Sequence, residues 1–286
     1  MSTPSVRYEK PESGIARIVL NRPQQRNAQN TQLLYELDAA FMEAAQDTEV
    51  KVIILSAEGP DFSSGHDVRE EHPMPPGPPV ASLEGGFAAD GVEGRHAFEC
   101  EVYLGMCRRW RDLPKPTIAQ VQGRCIAGGL MLIWPMDLIV AGESALFSDP
   151  VVAFGLNGGE YFAHGWEVGP RRAKEMLFTG EPMTATDAYR LGMVNRVVPD
   201  EQLAGVALSL ARKIRAMPAY GLRLAKASVN AGVKAQGLDS ALDSAFGLHL
   251  TGHANNFHRH DGLIDPEGLQ VIRALASSRP TGEDSR

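Results

Sequence analysis

Residues 14–56 read GIARIVLNRPQQRNAQNTQLLYELDAAFMEAAQDTEVKVIILS, and this stretch decides the fold. Its first part, 14–20, is rich in β-branched residues and predicts a strand. Asn30 is a good N-cap for a helix. The residues that follow place apolar side chains on one helix face, at Leu33, Leu34, Leu37, Phe41 and Ala45. Residues 51–56 contain a short continuous apolar run, which is typical of a strand buried on both faces. The order strand, helix, strand predicts ββα or βαβ layering with parallel pairing.

The rest of the chain changes from mixed to helical character near residue 199. Further strands are predicted at 117–122, 138–141, 145–147 and 194–198. Helices are predicted at about 96–111, 171–179, 184–191, 200–216, 220–231 and 238–250. We therefore expect an α/β core over residues 1–199 that carries the active site, and a helical C-terminal region with a polar tail over 200–286. The last predicted helix has an apolar stripe that should pack on a neighbouring subunit or on its own core.

Residues 73–95 differ from their surroundings because proline and glycine dominate them. Such a stretch sustains neither helix nor sheet, so we interpret it as a mobile loop that could serve as a lid. A tolerated surface insertion is the alternative.

Composition and charge narrow the class of protein. The 286 residues are 43% apolar and 22% charged, which is the mix of a folded globular chain. Asp and Glu (35) outnumber Lys and Arg (28), so a nucleic-acid partner is not expected. Cys100, Cys107 and Cys125 form no CxxC pair, which favours a reducing compartment. With no signal segment and no apolar stretch of bilayer length, we expect a cytoplasmic protein with no membrane partner.

Several short motifs occur in an ordered set. They are Asn21-Arg-Pro23, Arg26-Asn27-Ala28, DFSSGHD at 61–67, KPT at 115–117, Gly123, Ala127-Gly-Gly129, Asp137, Phe147, Gly155, LFTG at 177–180, Ala185, Ala188 and LGMVN at 191–195. Over roughly residues 7–230 this set resembles the crotonase (enoyl-CoA hydratase/isomerase) family. The resemblance implies a spiral of ββα turns with a helical C-terminal trimerisation region, and a homotrimer or a dimer of trimers. It also implies acyl-CoA substrates, with coenzyme A bound as part of the thioester rather than as a permanent cofactor.

Two glycine-containing turns, 63–66 and 127–129, predict a site for a developing negative charge. Free backbone N–H groups converge at such turns and at helix N-termini. Two donors of this kind stabilise the enolate or oxyanion of a reacting thioester. By the resemblance, the donors are the backbone N–H groups of His66 and Gly128. Two ordinary turns are the alternative.

The resemblance also implies a binding surface for the substrate. The residues expected to contact coenzyme A or the acyl group are Arg26, Ala28, Ser64, Gly65, His66, Asp67 and Gly129. The backbone of 64–67 would recognise adenine, and Arg26 lies where family members often place a basic group near the CoA phosphates. Arg26 could equally be a solvated surface charge.

Two positions depart from the family pattern. Hydratases of the family hold one water between two glutamates, and the matching positions here are Met131 and Val151. Neither side chain can transfer a proton. Because general acid–base catalysis contributes about 10²–10⁴-fold per group, ordinary hydration should be slow unless other residues substitute.

Glu160 is the first candidate substitute. It lies five residues after Gly155, near where dienoyl-CoA isomerases and a chlorobenzoyl-CoA dehalogenase carry a working aspartate four residues after the equivalent glycine. Its neighbours Tyr161 and Phe162 should exclude water and raise the pKa of Glu160 to a value suited to proton transfer. The alternative is that Glu160 stabilises the start of the following helix.

Further candidates are Asp149 and the side chain of His66, for which turn polarity and an ordinary buried histidine are the alternatives. His164 could orient Glu160 or Tyr161. Three histidines near the C-terminus, at 253, 258 and 260, have no cysteine or paired carboxylate beside them, so we expect a solvated tail and no metal site.

Three functions remain open from the sequence. The first is an enzyme nominally of enoyl-CoA hydratase type with relocated catalytic groups. The second is an acyl-CoA isomerase or thioester hydrolase that uses Glu160. The third is a non-catalytic acyl-CoA-binding protein. The glycine turns favour an enzyme, because binding alone needs no oxyanion site.

Overall fold

The computed structural model describes residues 4–70 and 87–277. Most of the proline- and glycine-rich loop expected over 73–95 falls in 71–86, outside the described residues. The end of that predicted loop is wrong, because a helix begins at Gly91. No helix in the described ranges is both long and apolar enough to cross a membrane.

Two sheets organise the fold. The strands of the described residues are β1 (Val6–Glu12), β2 (Ile15–Leu20), β3 (Val52–Ala57), β4 (Thr117–Val121), β5 (Arg124–Ile126), β6 (Leu138–Gly142), β7 (Leu146–Ser148), β8 (Met183–Thr184) and β9 (Arg196–Val198). The larger sheet has the order β1-β2-β3-β4-β6-β9, in which β1 and β2 are antiparallel and the other neighbours are parallel. The smaller sheet has the order β5-β7-β8. The predicted parallel α/β architecture is confirmed.

Helices cover the sheets and form the C-terminal region. They are α1 (Thr31–Gln46), α2 (Gly91–Glu99), α3 (Met106–Arg111), α4 (Gly128–Ile133), α5 (His164–Glu167), α6 (Gly169–Thr179), α7 (Ala185–Arg190), α8 (Leu203–Arg215), α9 (Ala219–Ala235), α10 (Leu238–His260) and α11 (Gly268–Ser277). A π-helical turn, Cys100–Gly105, joins α2 to α3, and a 3₁₀ helix spans Pro150–Phe154. The start of α1 is as predicted, because the Asn30 side chain accepts a hydrogen bond from the Leu33 N–H.

Strand β3 lies at the centre of two apolar layers. Ile53 and Leu55 point into the main core, while Val52 and Ile54 point to the opposite face, where α8 covers them with Leu203 and Ala211. This alternation follows from the two-residue period of a strand. It explains why the apolar run had to be continuous.

The C-terminal region differs from the prediction in two ways. Helix α10 continues to His260 rather than ending near residue 250, and α11 occupies part of the expected polar tail. Polar residues on α10, including His249, His253 and Asn256, are buried, so hydrophobic periodicity alone ends the helix too early. The apolar stripe of α10 packs into the core of its own chain through Leu242 and Phe246.

Candidate active site

A cavity of about 630 Å³ lies where the loop after β3, the N-terminus of α4 and the C-terminal helices meet. His66 and Gly128 contribute to its wall, and so does Glu160 from the loop before α5. Apolar residues of the C-terminal region, such as Leu269 and Ile272, close one side. A largely apolar cavity with a few convergent polar groups is the usual form of a small-molecule site.

Backbone pairing brings the two predicted oxyanion turns together. Gly65 accepts a hydrogen bond from the Gln29 N–H at 2.8 Å, and Ser63 accepts one from the Ile126 N–H at 3.0 Å. A methyl group on Gly128 would lie 2.9 Å from the His66 ring and 2.9 Å from Gln29 Oε1, so a larger residue there would force the ring or the turn to shift. Within 4–70 and 87–277, neither the His66 nor the Gly128 backbone N–H has a protein acceptor. The two donors are thus free to bind an oxygen of a ligand.

His66 and Glu160 form a hydrogen-bonded pair at this point. His66 Nε2 lies 3.1 Å from Glu160 Oε2, and the His66 ring stacks on Tyr103 with centroids 4.0 Å apart. Glu160 is 3% exposed. The other ring nitrogen, His66 Nδ1, is buried and has no partner in the described chain. A carboxylate at Nε2 favours the tautomer with the proton on Nε2, which leaves a lone pair on Nδ1.

The predicted rise in the pKa of Glu160 is wrong. Burial by itself raises this pKa, but the attraction of His66 and His249 outweighs burial, and the pKa lies well below its ordinary range. Glu160 is therefore an ionised carboxylate that orients His66, rather than a carboxylic acid that exchanges protons near neutral pH.

Asp149 does not line the cavity, contrary to its predicted catalytic place. Its carboxylate accepts hydrogen bonds from the Val151 N–H at 3.1 Å and the Gly159 N–H at 3.0 Å, and its Oδ2 lies 2.8 Å from His164 Nε2. Burial raises the pKa of Asp149, but these bonds outweigh it and the pKa is lowered. Asp149 therefore holds the loop that carries Glu160. His164 orients Asp149 and makes no hydrogen bond to Glu160 or Tyr161.

Met131 and Val151, the two positions that depart from the family pattern, lie in different surroundings. Met131 is 3% exposed in the main core, and a Cβ on Gly159 would lie 3.2 Å from its sulfur atom. Val151 lines the cavity. Neither side chain brings an acid or base to the site.

The predicted coenzyme A loop borders the same cavity. Ala28, Ser64 and Asp67 line it, and Asp67 pairs with Arg22 at 3.1 Å. Arg26 lies at the rim with its side chain 64% exposed, 3.8 Å from Asp61. Two glycines of the predicted set serve the backbone instead. Gly65 has a φ of +86°, and a Cβ on Gly129 would lie 2.9 Å from Ser63 O, so Gly129 packs against the loop rather than lining the cavity.

Sequence reasoning missed a second polar cluster, made by Arg95, Glu99 and two histidines of α10. Arg95 Nε donates to Glu99 Oε1 at 2.5 Å, and Glu99 is fully buried. His253 donates from Nε2 to Glu99 Oε1 at 3.2 Å and from Nδ1 to Leu263 O at 2.8 Å. Burial lowers the pKa of His253, but these acceptors outweigh it and the pKa is raised. The predicted solvated tail is therefore wrong for His253, which is 2% exposed.

His249 joins the two clusters. Its Nδ1 donates to Gly158 O at 2.9 Å, and its Nε2 lies 3.6 Å from Glu160 Oε1 and 3.7 Å from Glu99 Oε2. The i, i+4 spacing of His249 and His253 on one helix face was the available signal. Glu99 and the two histidines are close enough to hold a metal ion. Such an ion would have to displace the Arg95 guanidinium from Glu99 Oε1 and take the place of the proton on His253 Nε2.

Comparisons with known proteins place this chain among enoyl-CoA hydratases and isomerases. The family model for enoyl-CoA hydratase/isomerase matches residues 10–77 and 89–265. A protein of Mycobacterium tuberculosis that carries the name enoyl-CoA hydratase EchA13 is 45% identical to this chain. The match covers 96% of this chain and 90% of that protein. The mitochondrial enoyl-CoA hydratase domain-containing protein 3 of Rattus norvegicus is 33% identical, and the match covers 95% of this chain and 83% of that protein. The crystal structure of a probable enoyl-CoA hydratase from Mycobacterium smegmatis has a TM-score of 0.83 and 47% identity, and covers 92% of this chain and 99% of that one. The chain belongs to the enoyl-CoA hydratase/isomerase (crotonase) family of enzymes.

Proposed function

We propose that the cavity binds an acyl-CoA thioester and that His66, oriented by Glu160, moves a proton at the acyl group. The backbone N–H groups of His66 and Gly128 hold the thioester oxygen as it becomes negative. Coenzyme A enters and leaves as part of the thioester. The observation that carries the proposal is the contact of His66 with Glu160 beside Gly128, inside one cavity.

Hydration of a 2-enoyl thioester balances with this one acid–base unit. The His66–Glu160 pair takes a proton from water while the water oxygen bonds to Cβ. The electron pair of the Cα–Cβ double bond moves toward the thioester oxygen and forms an enolate. The enolate then takes this proton back from the His66–Glu160 pair at Cα, which restores the carbonyl. Ionised Glu160 stabilises the transient imidazolium, as a carboxylate does for the histidine of a catalytic triad.

Isomerisation is the second candidate, because the one acid–base unit of His66 and Glu160 is enough for it. The other carboxylates of the cavity wall are engaged, Asp67 with Arg22 and Glu70 with the backbone and hydroxyl of Thr31. In this reaction His66 removes a proton from Cα of a 3-enoyl thioester and returns it at Cγ. No water is added, so one base suffices.

Product analysis in D₂O distinguishes the candidates. The enzyme is incubated with crotonyl-CoA or trans-3-hexenoyl-CoA, and the products are identified by mass spectrometry. A 3-hydroxyacyl thioester supports hydration, and a double bond shifted to the 2,3-position, with or without deuterium at carbon, supports isomerisation. Free acid and coenzyme A would indicate a thioester hydrolase. Binding without turnover of either compound would contradict both candidates.

We also propose a homotrimer or a dimer of trimers in the cytoplasm. The support for assembly is that α9 has no buried residue, although it carries Tyr220, Leu224 and Val229. Apolar side chains that stay exposed along one helix are typical of an interface.

A further inference from the structure

One wall of the cavity is more polar than an unsubstituted acyl chain requires. Arg95, Tyr103, His249 and His253 line it together with Glu160. Burying a hydrocarbon chain against this wall removes water from the polar atoms that still have free hydrogen-bonding capacity, which is costly. The wall therefore suits an acyl group that brings polar atoms of its own.

Arg95 is the residue with unused hydrogen-bonding capacity. A guanidinium has five N–H donors in a fixed planar arrangement. Its Nε donates to Glu99, the Tyr103 hydroxyl lies close to the guanidinium, and no carboxylate or carbonyl of the described chain accepts from its terminal nitrogens. These terminal nitrogens are not fully buried, and the side chain keeps 16% of its surface exposed. The terminal nitrogens of Arg95 therefore open onto the cavity.

The guanidinium is held in place before any ligand arrives. Its carbon lies 5.3 Å from the ring centre of Phe98 and 5.7 Å from that of Tyr103. The Glu99 carboxylate fixes one edge at 2.5 Å. A charged group fixed in this way loses little conformational entropy when it binds.

Arg95 lies beyond the oxyanion site along the same wall. Tyr103 contacts both sides, because it stacks on His66 at 4.0 Å and on Arg95 at 5.7 Å. A thioester with its oxygen at His66 and Gly128 can therefore reach Arg95 with a short acyl chain. On that side two cations, Arg95 and His253, share one oxygen of Glu99, while Glu160 is hydrogen-bonded to His66.

We propose that the acyl group of the substrate ends in a carboxylate and that the terminal nitrogens of Arg95 bind it. This inference rests on the proposed function and specifies its substrate class as short dicarboxylic mono-CoA thioesters. Arg95 is then a specificity-determining residue. The planar fork of a guanidinium matches a carboxylate with two parallel hydrogen bonds.

Binding of two matched thioesters tests the proposal. Glutaryl-CoA and 5-methylhexanoyl-CoA have the same chain, but two methyl groups replace the carboxylate oxygens in the second. Dissociation constants are measured by calorimetry, with free coenzyme A as reference. We expect glutaryl-CoA to bind about tenfold or more tightly than its neutral isostere, as charged hydrogen bonds at a partly buried site allow. In Arg95→Met this preference is lost while the affinity for 5-methylhexanoyl-CoA is kept.

Further variants guard against misfolding, because Arg95→Met removes a partner of buried Glu99. The double variant R95M/E99Q removes both charges together and should also lose the preference, whereas Arg95→Lys should retain part of it. Equal or tighter binding of the neutral thioester by the unchanged enzyme would overturn the inference. So would an equal loss for both thioesters and free coenzyme A in Arg95→Met, since Arg95 would then bind the part that they share. If neither thioester bound the unchanged enzyme, the proposed function itself would fail.

Discussion

His164 Nε2 lies 2.8 Å from Asp149 Oδ2, and both side chains are 1% exposed. The same carboxylate oxygen accepts the Gly159 N–H at 3.0 Å. Asp149 thereby ties the residue before Glu160 to the end of the smaller sheet. The position of Glu160 against His66 depends on this buried pair, although neither member lines the cavity.

Asp149→Asn should destabilise the protein and misplace Glu160. Breaking one member of a buried, hydrogen-bonded pair leaves its partner unpaired, and we expect a loss of about 3 kcal/mol in the free energy of unfolding. Urea unfolding followed by circular dichroism measures this loss. Asp243→Asn is the matched control, because Asp243 also forms an ion pair but its side chain is 65% exposed. That control should change stability by less than about 1 kcal/mol, and an equal loss in both variants would contradict the assigned role.

The stability that Asp149 provides should depend on pH in a defined direction. Its pKa in the folded chain lies below the unfolded value of about 3.9, so the folded state binds this proton less tightly. The contribution is therefore fully present above about pH 5 and is lost as the pH falls through the folded pKa. The difference in unfolding free energy between the unchanged protein and Asp149→Asn should shrink from pH 6 toward pH 3. A constant difference over that range would contradict the lowered pKa.

Local signals predicted the elements, and distant contacts decided the site. The Asn30 cap and the apolar run of β3 depend on neighbours in sequence, so both were predictable. The pKa of Glu160 was predicted from adjacent aromatic residues, but its direction is set by His66, which is 94 residues away. The buried partner of His253 is Glu99, 154 residues away. In the sequence, a buried polar side chain with such a distant partner cannot be told from one that faces solvent.

Gly128→Ala should impair turnover through the site rather than through the fold. The new methyl group would lie 2.9 Å from both the His66 ring and Gln29 Oε1, so the ring or the turn must shift. Loss of one well-placed oxyanion donor costs about 10²–10³-fold in kcat. Steady-state kinetics on the best thioester substrate measures this decrease.

Gly165→Ala is the control for that substitution. A Cβ at Gly165 has no heavy atom within 4 Å, and Gly165 lies in α5 outside the cavity wall. Its kcat should equal that of the unchanged enzyme. A similar kcat for Gly128→Ala and Gly165→Ala would show that the Gly128 N–H does not hold the reacting oxygen.

Sedimentation equilibrium should give three or six times the chain mass of 30.9 kDa. Val229→Lys, on the exposed face of α9 and 67% exposed, should shift the mass toward the single chain by burying a charge in the interface. Leu191→Lys makes the same kind of change at a 45% exposed position that follows α7, outside the C-terminal helical region, and should leave the assembled mass unchanged. A single-chain mass for the unchanged protein would contradict the proposed assembly.

Glu160→Gln should lower kcat by about 10²-fold or more while the affinity for coenzyme A barely changes, because it removes the charge that orients and stabilises His66. The amide keeps the size of the side chain and can still contact Nε2, so the comparison reports on charge rather than packing.

His66→Gln should cause a comparable loss. The double variant should be no slower than the slower single variant, since two residues that act as one unit are not additive. Glu175→Gln, at a side chain that is 58% exposed, is the matched control and should keep the full rate. If the two losses multiplied in the double variant, or if Glu160→Gln kept its rate on the best substrate, His66 and Glu160 would not form one proton-transfer unit.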